Sequence, residues 1–296
     1  MDFLIIEGSE KNVMGSYLCK LIYKEEVNMD ILKYPRTRHI EGSNLQIGDE
    51  DIENIRFNSI KENYLVVEEK IDGANCGVSF DNDGKLLLQS RGHYLNGGYR
   101  EKQFNLFKLW ANTFYAELYN LLGNRYIMYG EWMFAKHTVF YDALPHYFFE
   151  FDIYDRKKKI FLSTPNRRRL LKNFPFIQSV RVLYEGYIDR YDDLINMVGK
   201  SLFKTKMWEK SLYNQCIDEK IDFSIVKKQT DLSENMEGLY IKAESADEVT
   251  MRFKYVRHSF LSSILDSETH WMDRPILPNK LMDGVDLFSF GGGLDE

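Results

Sequence analysis

The sequence predicts an α+β fold with antiparallel sheets flanked by helices, and three stretches carry that expectation. Leu65-Val66-Val67 is an apolar run of strand length, Cys76 to Phe80 resumes an extended pattern beyond Gly73, and Asp81-Asn82-Asp83-Gly84 turns the chain into a further strand, Lys85 to Arg91. Phe104, Phe107, Trp110, Phe114, Leu118 and Leu121 recur at helical spacing between about Glu101 and Leu122, and Gly123 follows as a stop. That stripe is read as core. Glu237 to Ala243 and Val249 to Val256 read as two final strands, joined by the polar turn Ser245-Ala246-Asp247-Glu248.

Composition narrows the class. A chain of 296 residues, 44% hydrophobic and 15% aromatic, can bury a sizeable core. No apolar run approaches the length of a membrane span, and Met1-Asp2 followed by only Phe3-Leu4-Ile5-Ile6 lacks the pattern of a signal peptide. A cytoplasmic protein with no membrane partner is therefore expected. Cys19, Cys76 and Cys216 have no metal spacing and are expected to be structural thiols of a reducing compartment. The net charge of −6 excludes coating of nucleic acid by bulk charge but leaves room for a local basic face.

Taken in order, residues 1–32 show weak helical periodicity and no assignable chemistry. Tyr34 to Ser43, broken by Pro35 and carrying Arg36, Arg38 and His39, is open to two readings, a surface loop or a phosphate-contacting loop. Glu68-Glu69-Lys70 then places a lysine among acidic residues at the end of an apolar run, just before Gly73, whose backbone freedom suits a turn. A glycine-bearing loop, Gly92 to Gly98, precedes the aromatic helix. Arg125 to Tyr129 is a strand that delivers Gly130-Glu131, and Tyr147 to Tyr154 is another. His93, His137 and His146 lack metal spacing and read as hydrogen-bonded or phosphate-facing. Ser163-Thr164-Pro165 looks like a helix start with a hydroxyl cap. The following Arg167-Arg168-Arg169 opposes the helix dipole, which leaves two readings, a role other than helix stability or a solvated face, and the solvated face is preferred. Val180 to Asn235 is mildly basic and is a place for substrate specificity. The expected organisation is one domain over residues 1–257 and a short C-terminal helical extension over 258–296 that ends loosely at Gly291-Gly292-Gly293.

Six segments change what Lys70 means. Lys70-Ile71-Asp72-Gly73-Ala74-Asn75, Ser90-Arg91-Gly92, Tyr129-Gly130-Glu131-Trp132, Phe149 to Tyr154, Glu237 to Lys242 and Arg252-Phe253-Lys254 occur in this order. Together they resemble the motif series of the covalent nucleotidyltransferases, the superfamily of ATP-dependent ligases and mRNA capping enzymes. The Lys-x-Asp-Gly-x-Asn form and the Phe-Asp-Ile segment look most like the RNA ligase 2-like branch. The resemblance covers roughly Lys33 to Arg257.

That resemblance implies a nucleotidyltransferase fold, without the OB barrel domain for which the tail is too short. It implies ATP with Mg²⁺ or Mn²⁺ as cofactors and Lys70 as the residue that takes AMP. A free lysine near pKa 10.4 is charged at neutral pH, so Lys242 and Lys254, together with Mg²⁺, are expected to favour neutral Lys70 and to stabilise phosphate charge. By the same resemblance Glu69 helps to recognise adenine, Arg91 and Glu131 contact the sugar, and Phe151 stacks on the base. Asp72, Asn75, Asp152 and Arg252 line the ATP pocket. Glu237 holds the metal, with no protein-only metal cage expected. Arg252 stands where the family usually has lysine, which keeps charge but cannot donate a proton. The implied substrate is RNA with 5′-phosphate and 3′-hydroxyl ends, with end-healing repair enzymes as candidate partners. The rival readings are a small DNA ligase or another adenylyltransferase, and a catalytically inactive ATP-binding module.

Overall fold

The computed structural model describes residues 31–45, 54–260 and 275–291; the periodicity before residue 31, the onset of the C-terminal helix beyond 260 and the glycines at 292 and 293 lie outside the described residues. Lys33 to Glu296 form one compact unit. In chain order its strands and helices are β1 (Arg38–Ile40), β2 (Asn54–Ile55), β3 (Tyr64–Lys70), β4 (Ala74–Phe80), β5 (Leu86–Ser90), α1 (Asn105–Thr113), α2 (Tyr115–Leu122), β6 (Tyr126–Trp132), β7 (Phe148–Asp155), β8 (Ile160–Phe161), α3 (Thr164–Leu171), β9 (Gln178–Ser179), β10 (Val182–Gly186), α4 (Tyr191–Ile195), α5 (Trp208–Asp218), α6 (Phe223–Lys228), β11 (Gly238–Glu244) and β12 (Val249–Val256).

Two largely antiparallel sheets result. The first has the order β10-β3-β11-β12-β1-β2, with β1 parallel to both of its neighbours; the second runs β5-β4-β6-β7-β8, with β9 parallel to β7. Strand alternation divides the first sheet cleanly. Leu65, Val67, Leu239, Ile241, Ala243 and Phe253 form an apolar cluster on one face. Glu68, Tyr240 and Lys254 are registered side by side on the other face, as are Val66, Lys242 and Arg252. One strand therefore supplies both a core and a row of charged groups. In the second sheet Trp132 and Phe148 pack against Phe107 of α1 at ring separations of 5.1 and 5.7 Å, while Asn75 and Glu131 are registered opposite each other.

The aromatic stripe is buried as expected, but the single predicted helix is two. Asn112 Nδ2 donates to Lys108 O and Thr113 Oγ1 donates to Leu109 O. Such side-chain bonds to the preceding turn compete with the helix ladder, and the chain bends at Phe114. The helix start at Thr164 is also found, with a different cap: Glu244 of β11, not Ser163, accepts from Thr164 N and Oγ1 at 2.8 and 2.7 Å. Of the three arginines read as a solvated face, Arg167 is buried. Residues 275–291 are not helical; they form an extended strap paired with the β6–β7 loop through Ala135–Pro278 and Leu144–Leu281. Its Leu277 and Leu287 are buried rather than loose.

Candidate active site between the sheets

A cavity of about 480 Å³ opens where the two sheets meet, a size at which small-molecule sites are found. Lys70 at the end of β3, Asn75 of β4, Arg91 just beyond β5, Glu131 of β6, Phe151 of β7 and Lys254 of β12 all line it. Tyr34 to Thr37 close another side, so this segment borders the cavity instead of lying on a remote surface. Asn75 Oδ1 is buried on this wall with no hydrogen-bond partner among the described residues, leaving an acceptor for a ligand hydroxyl or amine.

Lys70 Nζ lies 2.7 Å from Glu237 Oε1. Burial alone would lower the pKa of Lys70, but the Glu237 carboxylate, with Asp72 and Glu131 beyond it, outweighs burial and raises it. Lys242, expected to act on Lys70, is held by Glu68 and Phe151 O instead, and the charges that dominate at Lys70 are acidic. Burial raises the Glu237 carboxyl against the opposing pull of Lys70. Gly238 follows because a Cβ there would come within 1.8 Å of Tyr255 O, so only glycine lets β11 approach β12 beside Glu237. Glu131 is pushed up to about 7 by burial, opposed by Lys70 and Arg91.

The turn after Lys70 is fixed by the β6–β7 loop. Asp72 Oδ2 accepts from Thr138 N and Val139 N at 2.7 and 2.8 Å, and Asp72 N donates to Tyr141 Oη at 2.9 Å. Gly73 serves close approach rather than a left-handed backbone, since a Cβ would come within 2.6 Å of Met133 Sδ and 2.8 Å of Trp132 O. Asp72 is thus directed at backbone amides and does not line the cavity.

Beneath the cavity lies a buried charge network that the sequence reading did not foresee. Lys242, fully enclosed, donates to Glu68 Oε1 at 2.9 Å and to Phe151 O, and sits 3.5 Å from Asp152 Oδ1. Arg252 Nε donates to Asp152 Oδ2 at 2.9 Å with its guanidinium 3.9 Å from the Phe161 ring centroid. Arg167 binds Glu150 through Nε and Nη2 at 2.8 and 2.9 Å and reaches Glu68 at 3.4 Å. Tyr34 Oη donates to Asp152 Oδ2 at 2.5 Å. Burial would raise Asp152, but Lys242, Arg252 and Arg167 together hold it at about 2. Lys242, Asp152 and Arg252 therefore form the floor and are absent from the cavity lining. Glu69 borders the cavity, yet its oxygens accept from Ser201 Oγ and Leu202 N at 2.6 and 3.1 Å. Burial pushes its carboxyl up to about 7.

Sequence reasoning gave no role to Glu68, Tyr240, Glu150 or Arg167, and placed Tyr34 only in a loop open to two readings. Tyr240 was within reach, because the two-residue period of β11 puts it on the face of Lys242. Glu150 and Arg167 meet only through tertiary packing. Among the described residues no group of three or more His, Cys, Asp or Glu side chains is arranged to hold a metal. The three histidines are apart in role: His93 Nδ1 bonds Ser90 Oγ, His137 lies 3.9 Å from Asp72, and His146 Nδ1 accepts from Phe148 N.

Residues 63–256 match the profile of the RNA ligase family. The chain belongs to that family. Structures of Naegleria gruberi RNA ligase variants are similar to it: one with ATP and Mn at 20% identity and TM-score 0.47, covering 71% of this chain and 54% of that one. Another, with AMP and Mn, has 18% identity and TM-score 0.48 at 71% and 54% coverage. A third, with ATP and Mn, has 18% identity and TM-score 0.48 at 80% and 59%. This RNA ligase family member thus spans less than two thirds of the length of those proteins. No curated protein matches it.

Proposed function

We propose that this chain is an ATP-dependent RNA ligase that joins a 5′-phosphate end to a 3′-hydroxyl end through AMP carried on Lys70. The reading rests on one arrangement: a family lysine on the wall of a nucleotide-sized cavity, its amine held by a single carboxylate at 2.7 Å. Neutral Lys70 Nζ attacks the α-phosphorus of ATP, a P–N bond forms, and the bond to pyrophosphate breaks. A 5′-phosphate oxygen of RNA then attacks the same phosphorus and frees the lysine. The 3′-hydroxyl attacks the activated 5′-phosphate and AMP leaves.

In this reading Phe151 faces adenine, Arg91 and Glu131 hold the sugar, Asn75 Oδ1 accepts from the nucleoside, and Lys254 attracts the phosphates. Lys242, Asp152 and Arg252 set the floor on which Phe151 rests, through the contact of Lys242 with Phe151 O. Glu69 lies beside the base from its anchor on Ser201. A Mg²⁺ or Mn²⁺ ion held by Glu237 would supply positive charge beside the phosphates and loosen that carboxylate's hold on the Lys70 proton. The carboxylate is a hard oxygen donor already beside the amine, which fits such an ion.

Intact-mass analysis after incubation with ATP and Mg²⁺ tests the first step: one AMP adduct is expected, and none in Lys70→Ala. An adduct that persists in Lys70→Ala overturns the assignment. The RNA step is tested with two nicked duplexes that differ only in ribose or deoxyribose at the 3′-hydroxyl nucleotide. A site that hydrogen-bonds the 2′-hydroxyl leaves a buried group unpaired without it, at about 1–3 kcal/mol. Equal sealing of both nicks would favour a DNA ligase while leaving Lys70 in place.

A further inference from the structure

The strap at residues 275–291 lies outside the family match, yet it reaches the turn that follows Lys70. Asn279 is its centre and is 1% exposed. Asn279 Oδ1 accepts from Tyr141 N at 2.9 Å, Asn279 Nδ2 donates to Met133 O at 2.7 Å, and Asn279 O accepts from Tyr147 Oη at 2.7 Å. The backbone adds Lys136 N to Leu277 O, Asn279 N to Phe134 O, Lys280 N to Tyr141 O and Met282 N to Leu144 O, at 2.8 to 2.9 Å. One side chain therefore clamps both ends of the segment 133–141.

That segment is also the partner of the Asp72 turn. Tyr141 Oη accepts from Asp72 N, and Thr138 N and Val139 N hold the Asp72 carboxylate. Met133 Sδ and Trp132 O occupy the space a side chain at Gly73 would need. The path from the strap to Lys70 is thus Asn279, Tyr141, Asp72 and then two residues of backbone. Every link is a hydrogen bond or a covalent bond, and the side-chain oxygen of Asn279 makes the first of them.

We infer that Asn279 is a positioning residue for the Lys70 nucleophile, acting through Tyr141 and the Asp72 turn. The inference rests on the reading of Lys70 as the residue that carries AMP. Asn279 touches neither the cavity nor Lys70, so its effect falls on the placement of the amine and not on nucleotide contacts. A nucleophile displaced by a fraction of an ångström loses rate while binding is kept.

The test measures AMP-adduct formation in the full chain for Asn279→Ala, Asn279→Asp, Tyr141→Phe and the double variant Asn279→Ala/Tyr141→Phe, each checked for folding by near-ultraviolet circular dichroism. Asn279→Ala and Tyr141→Phe are each expected to slow the step about 10- to 100-fold, with the KM for ATP within about threefold. The double variant should be no slower than the slower single one, since both break one path. Asn279→Asp keeps an acceptor for Tyr141 N and should recover part of the rate. Lys280→Ala, an exposed side chain on the same strap whose backbone alone makes the contact, should match the unaltered protein.

A folded Asn279→Ala with an unaltered rate overturns the inference, as does a rise in KM at constant rate or an additive double variant. Where Asn279→Ala fails to fold, Tyr141→Phe decides, and a normal rate there overturns it. If the unaltered protein forms no adduct at all, the nucleophile reading fails and takes this inference with it. If it forms the adduct at Lys70 but Asn279→Ala is equally fast, the positioning role alone fails.

Discussion

The two charged regions of this protein use the same residue types to opposite ends. In the floor, Glu68, Glu150 and Asp152 face Lys242, Arg252 and Arg167, three anions against three cations, all buried except Arg252, whose side chain is 11% exposed. At the cavity wall, Lys70 has Glu237 in contact, Glu131 and Asp72 near, and 20% of its side chain exposed. A closed network fixes geometry, because removing any member strands a buried charge. An incompletely matched site open to solvent can instead exchange its partners for those of a ligand. Two carboxyls show the contrast: the cations of the floor hold Asp152 down at about 2, whereas burial pushes Glu131 at the wall up to about 7; Glu68, at the edge of the floor, is also raised by burial against Lys242 and Arg167.

The sharpest way to break this contrast is at the floor. Arg167→Ala leaves Glu150 without its bidentate partner and is expected to cost about 3–5 kcal/mol of stability in denaturant unfolding. Arg168→Ala, which removes an exposed pair with Glu185, should fall within about 0.5 kcal/mol of the unaltered protein. A large loss at Arg168 or a negligible one at Arg167 would erase the distinction between closed and open charges.

The wall makes two predictions of descending size. Glu237→Gln removes the carboxylate that raises Lys70, so the amine should lose its proton more readily. Without ATP, labelling of Lys70 by an amine-directed reagent at pH 8, read by mass spectrometry, should speed up, and an unchanged rate would show that Glu237 does not hold the proton. Lys242 should stay unlabelled while the fold persists. The second concerns stability against pH. A carboxyl raised from 4.5 to about 7 favours its protonated form in the fold, so its contribution is full below 4.5 and is lost as pH rises through 7. Glu131→Gln should therefore match the unaltered protein near pH 4 and exceed its stability by about 1–3 kcal/mol at pH 8. An equal gain at both ends would place the effect outside titration.

Much of this was legible. The Asp81–Gly84 turn and its flanking apolar runs fixed β4 and β5 because a hairpin is a local structure, and the motif order located the cavity residues Lys70, Asn75, Arg91, Glu131 and Phe151. What escaped is nonlocal. Arg167 looked solvated because its partner Glu150 is 17 residues away on a strand. The break at Phe114 came from two hydrogen-bonding side chains, with no glycine or proline to mark it. Asn279 gave no signal, since its partners lie 138 and 146 residues back. Lys242, legible as a family lysine, was expected to act on phosphates, and strand alternation alone could not tell that Glu68 and Phe151 O enclose it.

The smallest effect tests whether Arg252 belongs to the floor or to the chemistry. The family usually has lysine at this position, and the structure gives a reason for arginine: Nε bonds Asp152 while the planar guanidinium lies 3.9 Å from the Phe161 ring centroid. Arg252→Lys keeps the charge that holds Asp152 down but gives up the flat surface on that ring. The loss in unfolding free energy should be about 0.5–1 kcal/mol, the size of one cation–π contact. Below about pH 4 the two proteins should both weaken, because a carboxyl depressed to about 2 contributes above its ordinary value and loses that contribution as pH falls through 2. If Arg252 acts only through the floor, the rate of AMP transfer to Lys70 stays within about threefold of the unaltered protein. A rate that rises well beyond that in Arg252→Lys would show that a proton-donating lysine is useful there, and would move this residue from the floor into the reaction.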